Sequence, residues 1–443
     1  MSRGRSIMAD IFGVFNTNMA VLIIGFVIGI ILPNELGPEA TGLYYAILVI
    51  PQLTHSLIDL GTRPAIVMLS GRKKVPDEEL LSALVFVFAV STLACVVIYG
   101  GIFWWINNPD YSSMFIAIIL LNTPLRLVTA YGAAFMLAKE KIRKYNRINW
   151  LFPLVNLLGI LLFVTLLDLG VLGALLAVIS ASFVVAVYAL TLIFRKIRLK
   201  LRMNAGIIGD IYKYGLIYAL SFLVIRFNYR VDIFLLERLS TYSETGYYSL
   251  GVNIAELIFQ IPFALWIVVV SRSARAEDQT AMARTVLKLL RVAFLTAMVA
   301  SAALYFLSPW AITLVYGTKF IPSIPVVQQI LPGILFVVIF KVLNGHLAGM
   351  GKPWVPALAF LPSVLLNIGL NLWWIPLYGA QGAVMATNIS YTLGAFILLI
   401  VYRKMMKVSW ADVFVIRRSD FSFIAQLRDF LRRKKGREGR HED

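Results

Sequence analysis

The chain of 443 residues contains one cysteine and three histidines, and only 14% of its residues are charged. A single cysteine, Cys95, cannot form a disulfide within the chain, and so few cysteines and histidines form no cluster with the spacing of a metal site. The sequence also lacks the phosphate-binding motif G-x-x-x-x-G-K-[ST], which excludes an ATP-binding site of that type. We therefore expect no cofactor and no metal.

Apolar residues dominate instead: 60% of the chain is hydrophobic and the mean hydropathy is +0.81. These values are typical of a polytopic all-α membrane protein, in which each spanning helix needs about 20 mostly apolar residues. The first apolar segment follows the N-terminus without a cleavage site, so we expect it to be retained. The sequence predicts twelve transmembrane helices, at 8–32, 41–70, 80–106, 111–138, 146–168, 171–194, 211–239, 244–272, 284–308, 322–349, 354–376 and 379–402.

The 41 lysines and arginines are distributed unevenly around these segments. If the N-terminus is cytoplasmic, the odd-numbered connections carry only Arg238 and Lys319, whereas the even-numbered ones are rich in positive charge, as cytoplasmic loops are. This assignment counts Lys341 as cytoplasmic. It predicts that both termini are cytoplasmic and that the net charge of +18 reflects topology, with no nucleic-acid partner.

Two short motifs recur roughly 200 residues further along the chain, in the same order. Thr-Gly-Leu-Tyr-Tyr at 41–45 is matched by Thr-Gly-Tyr-Tyr at 245–248, and the pattern G-x-x-G-A-x-x-A at 170–177 returns at 379–386. Such small-residue motifs also occur as ordinary helix-packing faces. Their order predicts two six-helix lobes of parallel topology with a substrate between them. The predicted units are an N-terminal lobe at 1–194, a basic cytoplasmic linker at 195–210, a C-terminal lobe at 211–402 and a basic cytoplasmic tail at 403–443.

The tail allows two interpretations. Its apolar and basic residues have the spacing of an amphipathic helix that lies on an anionic leaflet. A solvated tail without regular structure is the alternative.

Polar residues within the apolar segments mark the candidate functional positions, because a charge at bilayer depth is costly and usually faces a bundle interior or a wet cavity. Arg226 and Arg230 lie four residues apart and share one helix face, whereas Asp232 lies about 200° round from Arg230 and needs another partner. Guanidinium groups suit phosphate or carboxylate. The candidate substrate-binding residues are Asn16, Gln52, Arg63, Arg126, Arg226, Arg230, Asn253 and Gln260. The candidate ion-coupling residues are His55, Asp59, Asp232 and Glu256.

Structural roles are the alternative for several of these residues, since charges inside a membrane are usually paired. Asp59 and Arg63 are four residues apart and could neutralise each other. Either central arginine could pair with Glu256. A lone histidine such as His55 is also common as a hydrogen-bonded core residue.

Four stretches of the chain resemble one family, the polysaccharide transporters or O-antigen-type flippases of lipid-linked oligosaccharides. This family belongs to the multidrug/oligosaccharidyl-lipid/polysaccharide exporter superfamily. The stretches are LGPEATGLYYAI (36–47) with DLGTRPAIV (59–67), YRVDIFLLERLSTYSETGYYSLGV (229–252), VYGTKFIPSIPVVQQILPGILFVVIFKVLNGHLAGMGKP (315–353) and WWIPLYGAQGAVMATNISY (373–391).

The resemblance implies a V-shaped bundle that moves an isoprenoid-diphosphate-linked oligosaccharide from the inner to the outer leaflet of the cell membrane by alternating access. It implies a transporter and no enzyme. The implied partners are the lipid-linked oligosaccharide and membrane lipids, with a glycan polymerase or glycosyltransferases as candidates. Two alternatives stay open. A cation-coupled multidrug antiporter has the same fold but is disfavoured by the arginines. A membrane glycosyltransferase or polymerase is disfavoured by short outer loops.

Overall fold

The computed structural model describes residues 7–72, 75–139, 141–194, 204–417 and 420, and within these ranges the chain forms helices and no strand. Thirteen α-helices are present: α1 Ile7–Asp59, α2 Thr62–Arg72, α3 Asp77–Ile106, α4 Ser113–Ala138, α5 Ile142–Ile160, α6 Gly170–Phe194, α7 Ala205–Leu239, α8 Tyr242–Ala255, α9 Gln260–Ser273, α10 Gln279–Tyr316, α11 Ser323–Gly349, α12 Trp354–Met406 and α13 Trp410–Phe414. A π-helical turn, Leu161–Leu166, extends α5, and 3₁₀ turns form at Glu256–Phe259 and Thr318–Phe320.

In the described ranges, ten helical stretches are long and apolar enough to cross a membrane, which confirms an all-helical, multi-pass membrane protein. Two helices, α1 and α12, have 53 residues each, and a straight helix of that length would measure about 80 Å, against a hydrocarbon core of about 30 Å. Each changes direction at a glycine with non-helical dihedral angles, Gly37 and Gly379. The count of twelve crossings requires α1 and α12 to cross twice each, and it stays a prediction.

Predicted segments two and eight are both interrupted in the structure. In segment two the helix ends at Asp59, because Leu60 and Gly61 have positive φ angles of 48° and 63°. Segment eight consists of α8, the 3₁₀ turn that begins at Glu256, and α9. Both breaks occur beside an acidic residue, a feature that hydropathy does not reveal.

The predicted segment bounds also differ at the two charged connections. Helix α7 begins at Ala205, inside the predicted linker 195–210, because the side chain of Asn204 caps it by accepting hydrogen bonds from the N–H groups of Gly206 and Ile207. Helix α12 continues to Met406, into the predicted tail. Residues 195–203 and 421–443 lie outside the described residues, and so does most of the predicted amphipathic tail helix.

The two repeated motifs have matching geometry. Gly42 and Gly246 contact each other where α1 crosses α8: a Cβ on Gly42 would overlap the carbonyl oxygen of Tyr242, and one on Gly246 would overlap that of Pro38. In the second motif, Gly170 and Gly379 have φ angles of 53° and 55°. Only glycine adopts such angles readily. The second glycine of each copy, Gly173 and Gly382, packs against a carbonyl of the preceding helical segment, at Phe163 and Trp374.

We call α1–α6 the first half and α7–α12 the second half. Within the first half, α6 packs on α4 and α5, and α5 on α1; within the second half, α11 packs on α9, α10 and α12, and α12 on α7. Contacts between the halves are made mainly by α1 with α7 and α8, and by α2 with α7. Helices α1 and α7, which carry most of the candidate residues, therefore lie where the halves meet.

Candidate functional site

A cavity of about 310 Å³ opens inside the first half, against α7 of the second. We call it the arginine cavity. Among the described residues, its lining contains three arginines and no acidic residue. The lining residues are Tyr44, Leu48, Pro51, Gln52 and His55 of α1, Arg63 of α2, Tyr99 of α3, Asn122, Thr123 and Arg126 of α4, Phe152 and Asn156 of α5, Val178 of α6 and Arg226 of α7.

Arg63 is held in place by α1. Its guanidinium Nη2 donates a hydrogen bond to Nε2 of His55 at 3.0 Å. Its Nε lies 3.9 Å from the carboxylate of Asp59, across the break between α1 and α2. Asp59 is buried, and its Oδ1 atom accepts no hydrogen bond from any described residue. His55 acts here as a hydrogen-bond acceptor, which makes it a positioning residue for Arg63, and Asp59 offsets part of the positive charge.

The other two arginines of the cavity lack an acidic partner in the part of the chain that the structure describes. The guanidinium of Arg126 lies 4.3 Å from the ring centroid of Phe152, in cation–π geometry. Among the described residues, Arg226 makes no hydrogen bond and no ion pair, and its side chain is exposed to the cavity. With one carboxylate against three guanidinium groups, the cavity is strongly cationic and available to an anion.

A smaller cavity of about 170 Å³ adjoins the arginine cavity. Both cavities are lined by His55, Arg63, Arg126 and Phe152, so these four residues form the layer between them. The smaller cavity extends along α4 and α5 to Thr129, Ala130, Ala133, Ile148 and Asn149. We call these four shared residues the arginine layer.

A third cavity, of about 440 Å³, lies between α1 and α8 and is mostly apolar. Asn253 and Gln260 line it, as does Asn18, but Asn16 does not. Two residues along a helix correspond to a rotation of about 200°, so Asn16 and Asn18 point to opposite sides. Asn16 is exposed. Asn18 therefore faces this cavity, and a role for Asn16 in binding substrate stays a prediction.

Arg230 differs from Arg226, although it is one helical turn away on the same helix. Its Nη1 and Nη2 atoms donate to Oε1 and Oε2 of Glu256 at 3.2 and 2.9 Å, a two-point ion pair. Lys341 lies next to this pair, with its ammonium 4.2 Å from the ring centroid of Phe259. The assignment of Lys341 to a cytoplasmic loop is wrong, because it lies within α11 and packs against α7 and the 3₁₀ turn.

Asp232 has the separate partners that its position on the helix requires. It is buried and accepts hydrogen bonds from the hydroxyl of Tyr248, from Thr387 Oγ1 at 2.9 Å and from the backbone N–H of Ile233 at 3.0 Å. In the described ranges no group of three His, Cys, Asp or Glu residues is arranged to hold a metal ion. Arg230, Glu256 and Asp232 thus have their partners within the second half.

Sequence reasoning missed several residues of the arginine cavity. Asn122 and Asn156 lie inside predicted spans four and five, and each is one helical turn from a residue of the arginine layer. An asparagine within an apolar span was the sequence signal that could have identified both as cavity-lining residues. Tyr44 and Tyr99 gave none, because tyrosine is common in such helices without lining a cavity.

Comparisons with known proteins place this geometry in context. A family model described as polysaccharide biosynthesis protein matches residues 32–325. An uncharacterized membrane protein of Methanocaldococcus jannaschii is 22% identical over 402 residues, which cover 82% of this chain and 91% of that protein.

Solved structures with a similar fold are those of transporters. The lipid II flippase MurJ in an inward closed conformation has a TM-score of 0.73 at 15% identity, with 95% of each chain covered. An inward-facing multidrug resistance transporter of the MATE family, in the MOP superfamily, has a TM-score of 0.69 at 16% identity and covers 92% of this chain and 96% of its own. A MOP superfamily transporter from Pyrococcus furiosus, described as having a binding pocket of reversed polarity, has a TM-score of 0.64 at 16% identity, with 89% and 94% covered. At these identities the likeness concerns the fold.

Proposed function

The chain belongs to the polysaccharide biosynthesis protein family, and from this premise we propose that it is a flippase for an isoprenoid-diphosphate-linked oligosaccharide. The family predicted from the sequence is confirmed by the match over residues 32–325. In this proposal the two halves alternate access to the arginine cavity and move the substrate from the inner to the outer leaflet of the cell membrane. Both termini are then cytoplasmic. No covalent bond forms or breaks in this process.

The observation that carries the proposal is the set of three arginines in one internal cavity. A diphosphate has two adjacent negatively charged groups, and guanidinium binds such groups with two parallel hydrogen bonds. Arg126 and Arg226 have no acidic partner among the described residues, so an anion gains their charge without displacing an existing ion pair. Arg63 is oriented by His55 and supplies the third guanidinium group of the cavity, beside those of Arg126 and Arg226.

The apolar cavity between α1 and α8 supports a lipid-linked anion in preference to a free one. Tyr45 of α1 contributes to that cavity, and its neighbour Tyr44 lines the arginine cavity, so the two spaces lie on different faces of one helix, about 100° apart. An isoprenoid chain needs an apolar route, whereas its diphosphate needs the cations. We propose that the lipid chain follows the α1–α8 side while the head group occupies the arginine cavity, with Asn253 and Gln260 near its path.

Coupling to an ion is the second part of the proposal. Asp59 is buried with one free carboxylate oxygen among the described residues and lies beside the arginine cavity. Asp232 is buried without a cationic partner within salt-bridge distance among those residues. We propose that these two carboxylates interact with a coupling cation and so link its movement to the state of the substrate site. Glu256 is committed to Arg230, and His55 to Arg63.

Two other functions fit the geometry less well. A multidrug antiporter for organic cations shares the fold, but the three arginines of the arginine cavity repel a cation. A membrane glycosyltransferase needs acidic catalytic groups at its site, whereas no acidic residue lines the arginine cavity. The family's role in polysaccharide biosynthesis makes a glycan polymerase or glycosyltransferases the partners to test for physical association.

The proposal is tested by transport in reconstituted vesicles. The purified chain is inserted into liposomes that contain an isoprenyl-diphosphate oligosaccharide with a fluorophore on the sugar, and a membrane-impermeant reductant destroys the outward-facing fluorophores. Protein-dependent loss of the protected fraction reports translocation, measured with and without sodium and proton gradients. We expect Arg126→Ala/Arg226→Ala to lower the initial rate at least about tenfold, because charge-assisted hydrogen bonds to the head group are lost.

Arg275→Ala is the matched control, since Arg275 is exposed in the connection between α9 and α10. It removes one positive charge without touching a cavity and should transport normally. Equal rates for wild type and a correctly folded Arg126→Ala/Arg226→Ala protein would overturn the proposed site. Transport of a fluorescent organic cation, with none of the lipid-linked sugar, would favour the antiporter.

A further inference from the structure

The lining of the arginine cavity is ordered in layers along the bundle. The residues shared with the smaller cavity form one layer, in which His55, Arg126 and Phe152 belong to α1, α4 and α5. Each of these helices carries a side-chain amide one turn away: Gln52 lies three residues from His55, Asn122 four from Arg126, and Asn156 four from Phe152. One turn corresponds to about 5.4 Å along the axis.

All three amides are displaced in the same direction. The smaller cavity extends from the shared layer to Thr129 on α4 and to Asn149 on α5, whereas Asn122 and Asn156 lie on the opposite side of that layer. Gln52 likewise lines only the arginine cavity. The amides therefore form a second layer, beyond the arginines when seen from the smaller cavity. We call Gln52, Asn122 and Asn156 the amide layer.

Two members of the amide layer have unused hydrogen-bonding capacity. Asn122 and Asn156 are only 8% and 7% exposed. The Oδ1 atom of each has no hydrogen-bond donor among the described residues. A buried carbonyl oxygen without a donor is unfavourable, and one on a residue that lines a cavity can be satisfied by a molecule bound there. Neutral amides beside an arginine layer suit a hydroxyl-bearing group attached to an anion.

Resting on the proposed function, we infer that the amide layer is a carbohydrate subsite that binds the first sugar of the head group. The diphosphate occupies the arginine layer, and the sugar joined to it extends one helical turn further, to Gln52, Asn122 and Asn156. The sugar's hydroxyl groups donate to the two carbonyl oxygens, which are closed to solvent in this conformation and turn towards the ligand as it enters. The sugar class is neutral, since an acidic sugar would be held by the arginines instead.

Binding to the detergent-solubilised full-length protein tests this arrangement. The probes are farnesyl diphosphate and its glycosides with glucose, galactose and N-acetylglucosamine, together with per-O-methylated versions that cannot donate hydroxyl hydrogen bonds. We expect at least one glycoside to bind about tenfold more tightly than farnesyl diphosphate, as two added hydrogen bonds would give. The per-O-methylated form of that glycoside should lose the gain.

Variants then identify which residues produce the tighter binding of the glycoside. Asn122→Leu and Asn156→Leu should abolish the advantage of the glycoside and leave the affinity for farnesyl diphosphate unchanged. Asn146→Leu is the matched control, because Asn146 is a buried asparagine on the same helix as Asn156 but does not line the cavity. Asn122→Ser and Asn156→Ser replace the leucine variants if those fail to fold, and the methylated probes need no variant.

The outcomes separate the two proposals. If farnesyl diphosphate does not bind, or binds equally well to Arg126→Ala/Arg226→Ala, the proposed function fails. If farnesyl diphosphate binds through the arginines but no glycoside binds more tightly, only the carbohydrate subsite is overturned. The subsite is also overturned if the glycoside still binds more tightly than farnesyl diphosphate after both asparagine substitutions, or if its per-O-methylated form does so.

Discussion

Two regions of the molecule treat their buried charges in opposite ways. At the arginine cavity, Arg126 of the first half stacks on an aromatic ring and Arg226 of α7 projects into the cavity, and neither has an acidic partner among the described residues. In the second half, Arg230 is bound at two points by Glu256, and Asp232 is saturated by hydroxyl groups. The first arrangement leaves charge available to a ligand, and the second uses charge to hold helices together.

Helix α7 belongs to both arrangements, which makes the difference instructive. Arg226 and Arg230 share a helix face, yet one turn decides between a free and a paired guanidinium. The cause lies in α8, whose break at Glu256 brings that carboxylate against α7 at the level of Arg230 only. Residue type and spacing therefore identify a charged helix face, whereas its role depends on the neighbouring helix.

The largest expected effect is on stability and separates these two arginines. Arg230→Met leaves Glu256 without its partner where both side chains are mostly buried, at 22% and 18% exposure, and should cost about 3 kcal/mol. Arg226→Met removes no ion pair and should cost less than about 1 kcal/mol. Thermal unfolding with a thiol-reactive fluorophore measures both, because the only cysteine, Cys95, is buried until the chain unfolds.

A double variant completes that test. Arg230→Met/Glu256→Leu removes both charges, and we expect it to recover most of the lost stability, because replacing a buried pair with apolar groups is often neutral. Equal destabilisation by Arg226→Met and Arg230→Met would show that the contrast between the two arginines is wrong. A failure of the double variant to recover would mean that Glu256 stabilises the fold through other contacts.

Much of the architecture was predictable because apolar length and positive charge are properties of the sequence. The all-helical class, the family and the repeated glycines follow from segment hydropathy and short motifs, and the repeats have matching backbone angles at Gly170 and Gly379. Interruptions such as Leu60–Gly61 and the 3₁₀ turn at Glu256 were not predictable. They depend on tertiary packing that local hydropathy does not encode.

The candidate site was predictable in part. A charged residue in an apolar span is conspicuous, so Arg63, Arg126 and Arg226 were identified. Asn122 and Asn156 carry no charge and became significant only when three helices brought them to one level beside the arginines. The pairing of Arg230 with Glu256 was one of two alternatives, because spacing on α7 cannot decide which arginine α8 contacts.

A smaller effect is expected when the second half loses one of its internal hydrogen bonds. Tyr248→Phe removes the hydroxyl that donates to Asp232, and both residues are 1% exposed. We expect a loss of about 1–2 kcal/mol in the free energy of unfolding, since Thr387 still donates to the carboxylate. The thiol-reactivity assay measures this loss.

Tyr229→Phe is the control for the tyrosine substitution. The hydroxyl of Tyr229 is buried on α7 and has no hydrogen-bond partner among the described residues, so its removal should cost little. If Tyr229→Phe were as destabilising as Tyr248→Phe, the hydrogen bond from Tyr248 to Asp232 would add no stability beyond that of any buried hydroxyl group. The second half would then differ less from the first than its hydrogen bonds suggest.

The smallest effect concerns the ion pair between Arg291 of α10 and Asp420, which lies beyond α13. Arg291 of α10 donates from Nε and Nη2 to both carboxylate oxygens of Asp420 at 2.8 and 2.7 Å, and it also donates to the backbone carbonyl of Asp412. These bonds to Arg291 hold the pKa of Asp420 below its ordinary value, and Lys288 adds to the effect. They attach the segment that contains α13 to α10.

A carboxylate with a lowered pKa in the folded state stabilises at pH values above its unfolded pKa, which is near 4. That stabilisation disappears as the pH falls through the lower folded value. We therefore expect hydrogen exchange at Trp410–Phe414, corrected for the intrinsic rate, to be slow at pH 5–7 and to accelerate below about pH 4. Asp420→Asn should exchange fast even at pH 7.

The cap of α13 titrates in the same range and must be separated from Asp420. Hydrogen bonds with Ser409 lower the pKa of Asp412 as well, so acid weakens the cap together with the tail contact. Asp412→Asn removes the cap titration but keeps Arg291 bound to Asp420, so its exchange at pH 7 should stay slow and still accelerate in acid. An acid transition that disappears in Asp412→Asn and persists in Asp420→Asn would assign the attachment to the cap. The ion pair of Arg291 with Asp420 would then not be what holds α13 to α10.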